Sequence, residues 1–229
     1  MSDSAATELR LARPMTRVDR LVYGTTRRLV LIFGTLLFRV EVQGREHLPS
    51  SGACVVAPVH RSNLDTPILA FLTTRRLRFM GKDTLWKPRA GNLILTALGG
   101  FPVTRGTADR EALRACEAVV SRGEPLVMFP EGTRQSGSTV GQVFDGPAFI
   151  AARTGAPIIP VGVGGSERVM PKGARFPRPK KVVLVIGPPI VPPVSEGRVP
   201  RRVVRELSEQ LQIELQRLFD VAQSRAGVR

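Results

Sequence analysis

The feature that most constrains the fold is the run Ala53-Cys-Val-Val-Ala-Pro-Val59, apolar throughout and rich in β-branched residues. A run of this length and character reads as a strand buried inside a sheet, because neither face carries polar positions for water. It ends at His60. A short polar turn follows, and Asp65 then stands just before Thr66-Pro67, a helix-start signal. Ser62 and Asn63 suit the cap of that helix, and Pro67 suits a first turn where no N–H is needed. Positions five apart on one continuous helix face different sides, so His60 and Asp65 converge only if the chain turns between them. A neutral imidazole whose other ring nitrogen is held by a carboxylate is a general base near pH 7. Taken alone, the same pattern is more often a structural histidine and a capping aspartate. Three further stretches decide between the two.

Strand-like runs recur at 38–42, 77–80, 101–104, 125–129, 158–163 and 181–186, separated by helical patterns at 66–72, 85–98, 108–120, 144–152 and 200–219. The alternation predicts an α/β protein: a single-domain mixed sheet flanked by helices. With 229 residues and no internal linker, residues 39–229 form one domain. Its last helix carries Val204, Leu207, Leu211, Leu215 and Leu218 on one face, for packing on the sheet. The segment 132–141 is a polar loop without periodicity.

Residues 1–38 are read apart, as an N-terminal interfacial segment. Arg10, Arg13, Arg17, Arg20, Arg27 and Arg28 lead into the ten-residue apolar run 29–38. As a helix this run is about 15 Å long, half of a hydrocarbon core of about 30 Å, and too short to span it. Arg39, Glu41 and Gln43 follow in place of a small-residue cleavage site, so the segment is expected to be retained. An anchor lying in an anionic membrane surface and a core element with a basic flank fit it equally.

The formal net charge of +15 directs the chain to anionic partners: nucleic acid, anionic lipid, or phosphorylated and CoA-bearing substrates. One Trp, one Tyr and dispersed charge argue against a nucleic-acid binder. Cys54 and Cys116 lack metal-ligand spacing and read as reduced core residues. Two histidines and no acidic cluster imply no metal. His47 reads as a surface residue.

The second informative stretch is Gly99-Gly-Phe-Pro-Val-Thr-Arg105-Gly106, in which glycines permit close backbone approach and a strand ends in an arginine suited to phosphate. The third, Phe129-Pro-Glu131-Gly132-Thr133-Arg134, places a carboxylate, a hydroxyl and an arginine on a tight turn. The fourth, Ala156-Pro-Ile-Ile-Pro160-Val161-Gly162, is apolar strand whose default reading is core.

In this order, the four stretches resemble the blocks of the glycerolipid acyltransferase family, in particular the bacterial 1-acyl-sn-glycerol-3-phosphate acyltransferases. The resemblance covers about residues 38–187 and extends to Gly81-Lys82-Asp83 and to Phe144 with Ala148-Phe149. It implies transfer of an acyl group from acyl-CoA or acyl carrier protein to the free hydroxyl of a lysophospholipid, giving phosphatidate in phospholipid synthesis. No cofactor and no metal are implied. His60 is then the general base, supported by Asp65. The resemblance places Lys82, Arg105 and Arg134 at the acceptor phosphate, Glu131 on the glycerol or in support of the motif, and Gly132 and Thr133 on the same acceptor turn. Pro160 and Val161 fall at the hydrophobic acyl-donor pocket, and backbone N–H groups near His60 or Gly132 are the expected oxyanion donors. The implied place is the cytoplasmic face of the cell membrane, peripheral or monotopic. The chain departs from the family at Asp145, where many relatives carry a base, and this leaves open the same chemistry on glycerol 3-phosphate, another lysophospholipid or a glycolipid. A lipid-binding relative without catalysis, and attack through Ser62, are the remaining alternatives.

Overall fold

The computed structural model describes residues 15–103, 109–171, 173–193 and 199–228, except for the side chains of Lys82, Arg89, Ala90, Asp109 and Arg110. Seven strands form one mixed sheet: β1 (Glu41–Gln43), β2 (Cys54–Pro58), β3 (Arg78–Lys82), β4 (Gly100–Val103), β5 (Pro125–Val127), β6 (Ile158–Gly164) and β7 (Val183–Ile186). Their order across the sheet is β1-β7-β6-β2-β5-β3-β4. All neighbours are parallel except β6 and β7. The carboxyl ends of β2, β3, β4, β5 and β6 therefore lie along one edge, where open α/β sheets place their ligands.

Helices cover both faces. On one lie α4 (Asp109–Ser121), α5 (Gly146–Thr154) and α7 (Arg201–Arg225), whose Cys116, Ile150, Leu211 and Phe219 pack with Val55 and Ile158. On the other are α1 (Arg17–Phe38) and the short α2 (Asp65–Ile68), which continues as the 3-10 turn Leu69–Phe71; here Phe38, Ile68 and Phe71 meet Val56 and Ile159. Alternate residues of β2 and β6 thus feed opposite cores, as the continuous apolar runs require. The last helix approaches β6 closely at Gly162 and Gly164, where a Cβ would meet the backbone of Leu218 and Ala222.

The expected helix at 85–98 divides into a 3-10 turn, Asp83–Trp86, and α3 (Arg89–Ala97), because Pro88 between them has no N–H to continue a ladder. A single residue, Gly165, in the left-handed region at φ +80°, separates β6 from the short helix α6 (Ser166–Val169). The expected strand at 38–42 begins later, since Phe38 closes α1 and Arg39 caps it in the left-handed region at φ 45°.

The N-terminal helix corrects the sequence reading most. It is 22 residues, about 33 Å at 1.5 Å per residue. By length and composition it is able to cross a membrane, which the ten-residue run was not. It starts at a capping box in which Thr16 Oγ1 accepts from the Asp19 N–H and the Asp19 carboxylate accepts from the Thr16 N–H. Asp19, Gly34 and Phe38 face the domain, while Leu21, Ile32, Phe33 and Leu36 are exposed. Arg10 and Arg13 lie outside the described residues.

Candidate active site

His60 follows the carboxyl end of β2, and the Val59 N–H, donating to the Val161 carbonyl at 3.0 Å, extends the ladder up to it. The chain then reverses. The Asp65 carboxylate closes the turn from its far side: Oδ2 accepts the backbone N–H groups of Arg61 and Ser62, both at 2.6 Å, and His60 Nδ1–H at 2.9 Å. Asp65 is wholly buried, whereas the His60 side chain is 17% exposed. The imidazole is held from below by Asp65 and stacked on the Phe129 ring, 4.0 Å between centroids. With Nδ1 donating to the carboxylate, Nε2 carries the lone pair. Ser62 and Asn63 were expected to cap the helix, but its N-cap position is Leu64, without a side-chain bond. Ser62 is buried instead, its hydroxyl donating to the Met170 carbonyl at 2.9 Å.

Beneath this turn lies an ion pair. Glu131, on the turn after β5, is 1% exposed, and so is Arg61. Glu131 Oε2 accepts the His60 N–H at 3.0 Å; Oε1 accepts the Gly141 N–H at 2.8 Å; both take Arg61 Nη1 at 2.9 Å. The Arg61 guanidinium also donates to the Thr139 carbonyl and lies 4.7 Å from the centre of the Phe219 ring. The strand end at His60, the polar loop 132–141 and α7 are thereby joined through one buried ion pair, α7 by way of Arg61. Nothing next to Arg61 in the sequence marks it as structural; the long-range contact to Glu131 does.

The comparisons with known proteins bear on this arrangement. The family described as Acyltransferase matches residues 39–164, more than half of the chain. The chain belongs to the acyltransferase family. Curated relatives include the chloroplastic 1-acyl-sn-glycerol-3-phosphate acyltransferase BAT2 of Brassica napus, 31% identical over 60% of this chain and 40% of its own length. Another is the 1-acyl-sn-glycerol-3-phosphate acyltransferase of Bacillus subtilis, 26% identical over 66% of this chain and 73% of its length. The chain spans about two fifths of the length of the plant relatives it matches. Among solved structures, the 1-acyl-sn-glycerophosphate acyltransferase PlsC from Thermotoga maritima has a TM-score of 0.74 at 26% identity, covering 96% of this chain and 88% of its own.

In this member of the acyltransferase family, the other residues singled out from the sequence divide by place. Lys82 ends β3, in register with Val103 of β4, on the edge of the sheet that carries His60. Arg105 lies outside the described residues. Gly132 adopts φ +66° and Thr133 is exposed, its hydroxyl accepting from Gln135 Nε2; Arg134 is half-buried and has no acidic partner among the described residues. Pro160 and Val161 are buried in the interior of β6, paired with Ala57 and Pro58, and line no cavity among those described. The backbone N–H groups of His60 and Gly132 are already engaged, with Glu131 and with the Phe129 carbonyl. His47 is half-buried, its Nδ1–H donating to the Ile186 carbonyl at 2.9 Å. Asp145 accepts from the Ser208 hydroxyl at 2.8 Å and so ties α5 to α7.

A cavity of about 400 Å³ opens on the α1 side, between that helix, β3 and α3. This volume is within the ~300–1,000 Å³ of small-molecule sites. Its wall includes Thr66 and Pro67, which directly follow Asp65, and its apolar lining includes Leu77, Phe79, Leu95 and Trp86. The indole is wedged against two strand glycines, since a Cβ at Gly81 or Gly100 would stand 2.9 or 3.0 Å from its ring. No sequence signal identified this cavity, because its walls come from elements spread between residues 23 and 100. Among the described residues no group of three or more His, Cys, Asp or Glu is placed to hold a metal. Burial pushes the thiols of Cys54 and Cys116 up to about 11 and about 12.

Proposed function

We propose that this acyltransferase moves a fatty acyl group from acyl-CoA or acyl carrier protein to the free hydroxyl of 1-acyl-sn-glycerol 3-phosphate, giving phosphatidate. The observation that carries the reading is the His60–Asp65 pair, 2.9 Å apart, with the carboxylate buried and the ring open at the edge of the sheet. The relatives' activity supplies the substrate class. His60 Nε2 takes the proton of the acceptor hydroxyl as its oxygen attacks the thioester carbonyl, and Asp65 stabilises the imidazolium that forms. When the tetrahedral intermediate collapses, the C–S bond breaks and the departing thiolate receives that proton. The ester is formed and the base is restored. A thioester is already activated, so no enzyme nucleophile is needed, and the buried, hydrogen-bonded Ser62 hydroxyl is poorly placed to be one.

Lys82, Arg105 and Arg134 are assigned to the acceptor phosphate, for which paired cations are the natural ligands. Glu131 is assigned to support of the turn, because its two oxygens are already occupied by Arg61 and two backbone N–H groups. The cavity beside Thr66 and Pro67 suits an acyl chain by lining and position. The exposed apolar residues of α1 are read as its contact with the membrane, at the cytoplasmic face. The test is acyl transfer from oleoyl-CoA to lysophosphatidate by the wild type and His60→Ala, with circular dichroism of both. Phosphatidate from the wild type and a loss of about 10²–10⁴ in rate in the folded variant are expected. A folded variant with undiminished activity would refute the mechanism, and a panel of other acceptors turned over faster would refute the substrate.

A further inference from the structure

The segment from Gly173 to Lys181, between α6 and β7, is unlike the rest of the surface. It holds Arg175, Phe176, Arg178, Lys180 and Lys181, with Pro177 and Pro179 stiffening it, and no acid. Phe176 is 81% exposed, and the flanking Arg175, Arg178 and Lys180 are exposed as well. Lys181 is neutralised by Glu41 at 2.6 Å, but none of the other three cations has an acidic partner among the described residues. A bare phenylalanine among unpaired bases has no stabilising role within the fold: its ring packs in none of the three cores, and its exposure costs what burial would have gained.

Its position gives it one. At one end the segment follows Met170, whose carbonyl receives the Ser62 hydroxyl of the catalytic turn. At the other it runs into Val182, whose N–H donates to the carbonyl of Phe38, the last residue of α1. The segment therefore reaches from the catalytic turn to the end of the helix whose outer face shows Ile32, Phe33, Leu36 and Leu37. β7 runs antiparallel to β6, so its first residue, Val183, opposite Gly164, lies at the edge of the sheet that carries His60. The α1 terminus, the exposed phenylalanine and the reactive imidazole are all at that edge.

We propose that the Gly173–Lys181 segment is a second membrane contact, in which Phe176 enters the acyl boundary and Arg175, Arg178 and Lys180 lie on the phosphates of an anionic bilayer. A bilayer is favoured over a soluble acidic partner because the segment continues an apolar helix face, and because its own tip is aromatic. The proposal rests on the reading of α1 as a lipid-facing helix. It gives the enzyme a charge-dependent contact next to the site where a lipid acceptor must arrive.

The test is flotation of the full chain with vesicles of neutral phosphatidylcholine, or of phosphatidylcholine with phosphatidylglycerol. Three variants are compared with wild type: Arg175→Ala/Arg178→Ala/Lys180→Ala together, Phe176→Ser, and Phe33→Ser/Leu36→Ser in α1. Each base near an anionic surface contributes about 1 kcal/mol, so the triple variant should lose up to roughly 100-fold in partition to anionic vesicles. Binding to neutral vesicles should hardly change, whereas Phe176→Ser should weaken both. Wild-type binding of the triple variant to anionic vesicles would overturn the proposal. So would a selective rise in the KM for oleoyl-CoA or acyl carrier protein, measured without vesicles, which would give the segment to the donor. If the α1 variant binds neutral vesicles normally while the triple variant loses anionic binding, the reading of α1 fails and the segment's role stands.

Discussion

Replacing Glu131 by glutamine separates a residue that touches substrate from one that holds the site together. The change is isosteric, so packing is kept. The geometry of the carboxylate makes it costly nonetheless: Oε2 faces the His60 N–H and Oε1 the Gly141 N–H. A carboxylate accepts both, but an amide has one oxygen, and in either orientation its NH2 group opposes a backbone donor. One buried N–H is left unsatisfied, at about 1–3 kcal/mol. The Arg61 guanidinium, 1% exposed, loses its counter-charge at the same time. Breaking a buried pair in this way costs about 3–5 kcal/mol in all. For a chain of this size that lowers the midpoint of thermal unfolding by roughly 6–20 °C. Because the lost acceptor faces the backbone of His60, kcat should fall while the KM for lysophosphatidate stays near that of wild type. Thermal unfolding and steady-state kinetics on the same preparation test this. A variant as stable as wild type, with only a raised acceptor KM, would refute the argument and return Glu131 to the glycerol.

Asp65→Asn leaves three donors on a neutral oxygen and puts an amide where Asp65 Oδ1 is buried without a partner; kcat should fall by about 10²–10⁴, and a loss under tenfold in a folded variant would count against a catalytic pair. Trp86→Ala enlarges the cavity beside Thr66 and should raise kcat/KM for longer acyl donors relative to shorter ones; an unchanged ratio across a chain-length series would remove the acyl chain from that cavity. Cys54, raised from 9.0 to about 11, holds roughly 100-fold less thiolate at pH 8 than a free thiol, so thiol reagents should modify it only on unfolding and leave activity intact. With folded values above unfolded ones, both cysteines make stability fall as pH rises above about 9, the unfolded chain losing its protons first; a denaturation midpoint that rises over that interval in wild type relative to Cys54→Ala/Cys116→Ala would contradict the sign.

Most strands were legible as short apolar runs bounded by turns, β1 only as an alternation whose start was misplaced, and the convergence of His60 and Asp65 because a turn had to join them. The order of the strands was not, since β2 meets β5 and β6 only through pairing across 70 residues or more. Arg61 and Glu131 show the same limit at the level of side chains: nothing local distinguishes a surface arginine from one buried against a carboxylate 70 positions away. The start of α1 failed for another reason. Arginines at 17, 20, 27 and 28 dilute the apolar pattern, although the Thr16-x-x-Asp19 signature was present and marks a helix start.

That helix is long enough to span a bilayer, yet its contacts argue for an arrangement in the plane of the surface. Arg27 donates to the carbonyls of Ala70 and Thr73, at the end of the helical segment that Asp65 begins. About two helical turns further on, Gly34 lies so close to the Phe71 ring that a Cβ there would stand 2.5 Å from it. Asp19, Arg27, Gly34 and Phe38 thus form a row along the whole helix that faces the domain. Crossing the membrane would strip this row from the domain. It would also carry a charge at Arg27, near the middle of the helix, into hydrocarbon at about 2.5–3.5 kcal/mol. Lying in the interface keeps every one of these contacts and buries only the exposed apolar side. The same contacts place α1 directly behind the turn of Asp65, so the helix read as the membrane contact is packed against the segment that carries the proposed catalytic carboxylate.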